Sequence, residues 1–282
     1  MKGDKRVGAA IALVFLLAMA GQCTGLEQSG PRILVSNDDG IDAPGLVALV
    51  EALQKVGTVT VAAPEREQSG VSHGMTTRRL ITVRESVRAG ITWYGIDATP
   101  GSCVRLALES LLPVRPDIVV SGINRGENVG LVTFYSATVA AAREAGFLRI
   151  PAVAVNLQSG ERMDYASAAR FVAALVRELL RGGLEGGSFL NVNIPALPRD
   201  KIKGVMITSL DTRATAETFE KKESRNGETT YWPSYKVLDA GPEGTDIWAV
   251  RNGYISITPL DLDQTCARGS TCLERLKKLD WK

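Results

Sequence analysis

The chain has 282 residues, 45% of them hydrophobic and 23% charged, with a mean hydropathy of +0.02. That composition suits one sizeable core or two smaller ones and excludes a disordered chain, a collagen-like fibre and a multi-span membrane protein. The net charge of +2 lies in the first twenty residues, where Lys2, Lys5 and Arg6 face Asp4 alone, so the body is neutral and carries no basic field that would make a long nucleic acid its partner.

The chain opens with a short basic segment through Arg6, an apolar run from Val7 to Ala20, and small residues at Ala18 and Ala20. This pattern reads as a signal peptide over residues 1–20, cleaved after Ala20, and implies an exported, periplasmic protein. The run is shorter than the roughly 20 apolar residues of a membrane span, so no membrane attachment is expected after cleavage. Cys23 raises lipid attachment, but Gln22 stands where a small residue is wanted, and lipoprotein anchoring is not expected. Residues 21–30 form a polar tether.

Beyond the tether, strands and helices alternate. Arg32 to Ser36 reads as a buried strand, Pro44 to Val56 as an amphipathic helix with Pro44 in its first turn, and Thr58 to Ala63 as a β-branched strand. Next come a strand from Ile91 to Ile96, a helix from about Ser102 to Leu112, and a strand from Asp117 to Val120. A long loop leads into a helix from about Tyr135 to Ala145, then a strand from Ala152 to Val155, a helix from Tyr165 to Arg181 and a strand from Phe189 to Val192. Repeated β-α-β order implies an α/β fold, a mostly parallel sheet covered by helices on both faces, over residues 31–195. From 196 to 282 the character changes to β-rich appendages, with strand-like pieces at Ile202–Thr208, Thr229–Tyr235, Ile247–Val250 and Tyr254–Ile257 and a short helix from Cys272. Cys103 opens an apolar helical stretch and reads as a core residue. Cys266 and Cys272 read equally as a local disulfide or as two free thiols.

Three turns on one rim of this sheet carry the chemistry. Asn37-Asp38-Asp39-Gly40 follows the first strand, where ligands of open parallel sheets bind. Two adjacent carboxylates repel unless a cation lies beside them, and their oxygen-only character favours a hard divalent ion, Mg²⁺ or Mn²⁺. The alternative is an acidic turn that only reverses the chain. Pro64 to Gly70 leaves the second strand, and Ser121 to Gly130 leaves another. Asn124, Asn128 and Ser69 add neutral oxygens, and Gly122, Gly126 and Gly130 let amides turn towards an anion. The last loop runs into Tyr135-Ser136-Ala137-Thr138, where a helix opens and its free amides favour phosphate.

The strings ILVSNDDGIDAPG, VAAPEREQSG, VSGINRGENVG and YSATVAAA, in this order and spacing, resemble the survival protein SurE family of metal-dependent nucleotidases. VNIP, DAGPEGTD and GYISITPL extend the likeness over residues 31–260. The resemblance implies a Rossmann-like three-layer core and one divalent cation per subunit. It also implies hydrolysis of nucleoside 5′- or 3′-monophosphates or other small phosphoesters. Matched by position, the metal ligands are Asp38, Asp39, Ser69 and Asn124, and the phosphate contacts are Gly70, Asn128, Ser136, the Ala137 amide and Thr138. A homodimer or homotetramer is implied, with the 210–240 extension and the C-terminal oligomerisation segment exchanged between subunits. Ala137 stands where similar sequences carry Gly, Ser102 where many carry Asp, and Leu131-Val132-Thr133 replaces a more acidic stretch.

On this reading Asp39 orients or deprotonates the attacking water, while Asn128, Ser136 and the helix amides offset charge on phosphate. His73, the chain's single histidine, is expected as a solvated loop residue, with protonation of the leaving oxygen as the alternative. Arg66 and Arg125 are expected to be solvated. Trp93, Trp232 and Trp248 are expected in packing or interfaces. The rival readings are a phosphatase that forms an aspartyl-phosphate and an exported binding module without turnover.

Overall fold

The computed structural model describes residues 30–184, 188–213, 216–223, 226–236, 241–265 and 279. The expected signal segment, Cys23, the Cys266–Cys272 loop and the expected terminal helix lie outside them. In chain order the elements are β1 (Arg32–Ser36), α1 (Pro44–Leu53), β2 (Thr58–Pro64), β3 (Val83–Arg88), β4 (Ile91–Ile96), α2 (Pro100–Leu106), β5 (Ile118–Arg125), α3 (Val132–Tyr135), α4 (Ala137–Phe147), β6 (Ala152–Leu157), α5 (Tyr165–Gly182), β7 (Phe189–Ile194), β8 (Gly204–Ile207), β9 (Ala216–Lys221), β10 (Tyr231–Lys236), α6 (Asp246–Arg251) and β11 (Tyr254–Leu260).

The two-residue period of a strand sets the layering. In β1, Ile33 and Val35 project to one face and join Val61, Val120, Val153 and Val192 from neighbouring strands. Leu34 projects to the other and joins Ala62, Val119 and Ala154. Helices α1 and α5 seal the first face, and α2 and α4 the second. In α1 the buried Leu46, Leu49, Val50 and Leu53 recur at helical spacing, so one stripe docks while the opposite side stays in water. Helix α4 is buried nearly throughout; its alanines let it lie close between the sheet and α2.

The nine-stranded sheet runs β3-β4-β2-β1-β5-β6-β7-β11-β8. β1 pairs in parallel with both β2 and β5. From β1 the chain steps outward through β2 to β4, then returns to β5 on the other side of β1 and continues to β7. The direction of travel reverses between β1 and β5, which opens a crevice at their carboxyl ends. β9 and β10 form a separate antiparallel pair.

The mostly parallel α/β core agrees with the reading of the sequence, and four features differ. The edge strand β3 was not expected, because Val-Arg-Glu-Ser-Val-Arg is charged and exposed, as edges that avoid further pairing tend to be. Ile247–Val250 belongs to helix α6, whose Thr245 hydroxyl accepts from the Trp248 amide, a cap that favours helix over strand. The helix expected from Tyr135 is two helices that break at Ser136. The late section is only partly an appendage, since β11 lies antiparallel to β7 and parallel to β8 inside the main sheet. Cys103 is fully buried and free, and burial pushes its thiol up. Among the described residues no helix is long and apolar enough to cross a membrane.

The turn after β1 is held in place by a close backbone approach at Gly45. A Cβ there would lie 2.1 Å from the Ile123 carbonyl oxygen and 3.0 Å from the Tyr165 ring. Gly45→Ala is therefore expected to destabilise the fold by about 1–3 kcal/mol, read as a lower urea midpoint at unchanged slope.

Candidate active site

The Asn37–Gly40 turn begins where β1 ends. Asn37 Nδ2 donates to the Gly40 carbonyl at 2.8 Å, and Gly40 takes φ +100. This turn buries Asp38, which is 3% exposed, with its Oδ1 accepting from the Thr138 hydroxyl at 2.6 Å. Burial pushes the Asp38 carboxyl up to about 6; the bond from Thr138 opposes that rise and the charge of Asp39 adds to it. Asp39 is half-buried, and its Oδ2 accepts from the Arg125 amide at 3.2 Å. Burial raises its proton affinity as well, the Arg125 amide lowers it, and Glu67 raises it further.

On the neighbouring strand a bulge supplies the second group of donors. The register of β5 against β6 slips between Ser121 and Asn124, so one extra residue fits in and the following side chains are re-aimed. Only glycine serves at 122, where φ is +141 and a Cβ would lie 2.4 Å from the Val155 carbonyl oxygen. Asn124 Nδ2 donates to the Gly126 carbonyl at 2.9 Å, which commits its nitrogen and leaves its amide oxygen for a ligand.

The loop beyond β5 is held by groups from distant strands. Asn124, Asn156 and Asn193 occupy matching positions on β5, β6 and β7. Asn128 Nδ2 donates to Asn156 Oδ1 at 2.7 Å, Asn156 Nδ2 to Asn191 Oδ1 at 2.8 Å, and Asn191 Nδ2 back to the Asn128 carbonyl at 2.8 Å. The Asn128 amide donates to Asn193 Oδ1 at 2.8 Å. At the far end, Asp246 Oδ2 accepts from the Gly130 amide at 2.7 Å. Asp246 also accepts from the Asp211 and Ile247 amides, yet burial still raises its proton affinity.

A third segment crosses from Pro64 to Thr76. The Gln68 amide donates to the Asp38 carbonyl at 2.7 Å, and Ser72 donates through its amide to the Tyr135 carbonyl and through its hydroxyl to that of Phe134. Between those anchors, Ser69 and Gly70 reach the crevice. Asp38, Ser69, Gly70, Asn124, Asn128 and Ser136 line a single cavity of about 300 Å³, together with Arg125, Gly126, Glu127, Val132, Tyr135 and Ser159.

Six of the nine expected site residues thus share one wall. Asp39, Ala137 and Thr138 are not part of it. Thr138 and Ala137 are fully buried, Thr138 acts on the cavity through Asp38, and Asp39 sits beside Asn124 through its bond to Arg125. Ser136 also caps α4, accepting from the Val139 amide at 3.2 Å. His73 is not a solvated loop residue: its side chain is 23% exposed and bonds to Glu144. Arg125 is exposed at the rim, and Trp93 is buried. Trp248 stacks on Tyr254, and Trp232 is 64% exposed. Asn156, Asn191, Asn193 and Asp246 were not anticipated as supports. The available signal was Asn191 and Asn193 two apart in the otherwise apolar strand β7: buried amides on one face need partners.

A hard divalent cation fits this donor set. Among the described residues no three His, Cys, Asp or Glu side chains gather as a metal site. Two carboxylates with hydroxyl and amide oxygens match the ligands of Mg²⁺ or Mn²⁺. A cation there would offset the burial of Asp38, whose proton affinity no Lys or Arg lowers.

Residues 33–217 match the family described as Survival protein SurE. A protein of Geobacter sulfurreducens named 5'-nucleotidase SurE is 48% identical over 240 residues, 83% of this chain and 89% of that one. Another of Thermus thermophilus, named 5'-nucleotidase SurE 1, is 45% identical over 238 residues, 83% and 93% respectively. The crystal structure of the SurE protein from Aquifex aeolicus superposes with a TM-score of 0.78 at 37% identity, covering 88% of this chain and all of that one.

The burial of Asp38 has a consequence for stability. Unfolded, its carboxyl titrates near 3.8, and folded at about 6. Between those values the folded state keeps a proton that the unfolded state has lost, so metal-free stability falls as pH rises through that window, on the order of 3 kcal/mol from this group. Asp38→Asn keeps the shape and the acceptor for Thr138. The metal-free variant is expected to be more stable than the parent at pH 8 and little different at pH 4, as read from urea unfolding in chelator; a variant weaker at pH 8 would contradict this account.

Proposed function

This chain belongs to the survival protein SurE family, and from that premise we propose that it hydrolyses nucleoside 5′- and 3′-monophosphates with the help of a divalent cation. The observation that carries the proposal is the shared wall of Asp38, Ser69, Gly70, Asn124, Asn128 and Ser136, an acidic end set against neutral donors. Asp38, Asp39, Ser69 and Asn124 would hold one Mg²⁺ or Mn²⁺ per subunit. When bound, such an ion supplies Lewis acidity towards a phosphoryl oxygen and makes nearby water easier to deprotonate.

The chain's own groups do the rest. The Gly70 amide, the Asn128 Nδ2–H that Asn156 does not take and the Ser136 hydroxyl offer hydrogen bonds to phosphate oxygens, and the first turn of α4, through Ala137 and Thr138, adds the positive end of its dipole. These donors are fixed before substrate arrives, which is what electrostatic stabilisation of phosphoryl transfer requires. Asp39 takes the proton of the attacking water, its carboxylate oriented by the bond it accepts from the Arg125 amide. The water oxygen bonds to phosphorus, the ester P–O bond breaks, and the nucleoside oxygen leaves as an alcohol with a proton from solvent, to which Asp39 later returns the one it took. Tyr135, exposed on the same wall, offers the base an aromatic face.

The setting follows from other features. The basic and apolar pattern of residues 1–20 supports export to the periplasm. On the β9–β10 pair, Phe219 and Tyr231 are 65% and 56% exposed on one face and Trp232 is 64% exposed on the other; these uncovered apolar side chains support association into a homodimer or homotetramer.

The mature chain, assayed against a panel of nucleoside monophosphates and a short polyphosphate, is expected to release phosphate with Mg²⁺ or Mn²⁺ and to stop in chelator. Asp39→Asn is expected to lower kcat by about 10²–10⁴-fold. Nucleotide binding without phosphate release would overturn the hydrolase reading in favour of a binding module, and phosphate trapped on acid-quenched protein would point to an aspartyl-phosphate.

A further inference from the structure

A part-buried charged cluster built around Glu144 plays no part in the reaction outlined above. His73 Nε2 lies 2.6 Å from Glu144 Oε1. The second oxygen of Glu144 accepts from Arg105 Nε at 2.7 Å, and His73 Nδ1 faces Arg143 Nη1 at 3.4 Å. The imidazole also stacks on Phe147, with centroids 5.8 Å apart and planes 13° from parallel. The side chain of Glu144 is 4% exposed. Burial works to raise its proton affinity, but His73 and Arg105 outweigh that and hold it below the usual carboxylate range. Donors and acceptors alternate along the row: Arg143 donates to Nδ1, Nε2–H donates to Glu144, and Arg105 donates to Glu144 from the other side.

The place of this row in the fold gives it a purpose. Glu144 lies on α4, whose first turn follows Ser136, and Arg105 lies on α2. His73 lies four residues after Ser69, immediately after the point where Ser72 is pinned to the Phe134 and Tyr135 carbonyls. Ser72 adopts φ +56, a conformation uncommon for a residue with a side chain, which persists only where its surroundings over-determine it. Further along, the Thr76 amide donates to the Ser102 hydroxyl at 2.8 Å. The segment with Ser69 and Gly70 is therefore suspended between Gln68, tied to Asp38, and the Ser72–His73 pair, tied to α3 and α4.

We propose that His73 and Glu144 are positioning residues: the bond between them clamps the loop that carries Ser69 and Gly70 onto helix α4 and so fixes the place of those two residues in the cleft. The kinetic side of this inference rests on the proposed hydrolysis, whereas the clamp itself does not.

Two substitutions separate the hydrogen bond from the bulk of the ring. His73→Gln keeps a donor at similar reach and loses the ring; His73→Phe keeps a ring against Phe147 and loses the donor. In the full chain, His73→Phe is expected to speed amide hydrogen exchange of the 69–76 peptide about 10-fold. It should weaken Mn²⁺ affinity, measured by electron paramagnetic resonance, by about 10-fold, the low end for groups that support metal ligands, and raise KM for a nucleoside monophosphate more than it lowers kcat. His73→Gln is expected to stay within about twofold of the parent in all three. Parent-like exchange and Mn²⁺ affinity in His73→Phe, or a His73→Gln variant no better than His73→Phe, would overturn the clamp. Should His73→Phe fail to fold, Glu144→Leu, which removes the acceptor at similar volume, is expected to give the same rise in exchange, and parent-like exchange would count against the proposal. A parent chain that binds no Mn²⁺ and releases no phosphate would defeat the hydrolase reading alone, because the exchange measurement needs neither.

Discussion

A carboxylate removed from water at the end of β1 is the constraint to which the surrounding structure answers. Asp38 is nearly inaccessible, and its carboxylate accepts from uncharged groups, the Thr138 hydroxyl 100 residues along the chain and backbone amides. Burying an ionised group without a counter-charge is costly, and no basic side chain contributes to its proton affinity. A fold that keeps this arrangement tolerates a local instability, which the cation proposed for this site would offset. The same burial sharpens any charge interaction that Asp38 makes, since fewer waters screen it.

Around that acid the loops are held by bonds that do not themselves point at a ligand. The asparagines on β6 and β7 consume the inward-facing donors of Asn128 and hold its backbone, and Asp246 holds Gly130. The bulge at Gly122 re-aims Asn124, and the bond from its nitrogen to the Gly126 carbonyl decides which end of the amide remains free. Rigid elements thus set loop residues to narrow tolerances, which a site of pre-oriented dipoles needs.

Much of this architecture can be read from residue order. The parallel core is legible because runs such as Arg32–Ser36 and Thr58–Ala63 are apolar, β-branched and bounded by turn residues. Asp38 and Asp39 stand out because adjacent acids after a strand are chemically conspicuous. The remainder depends on partners remote in sequence. β3 is charged because it is an edge, and a four-residue apolar run such as Ile247–Val250 suits strand or helix until the Thr245 cap decides. Ser136 looks like part of a helix, yet it is the break between two. Asn156, Asn191 and Asn193 become meaningful only when their strands lie side by side, and His73 meets Glu144 across 71 residues.

The insertion of β11 between β7 and β8 has a bearing on how the molecule is made. The groove is built by strands from the first two-thirds of the chain, but Gly130 is gripped by an acid 116 residues further on, delivered by the turn of helix that precedes β11. Closing so wide a loop is entropically slow. A nascent chain would therefore complete its sheet centre before the groove acquires its last anchor, and competence would arrive as the final event of maturation rather than growing in step with the fold.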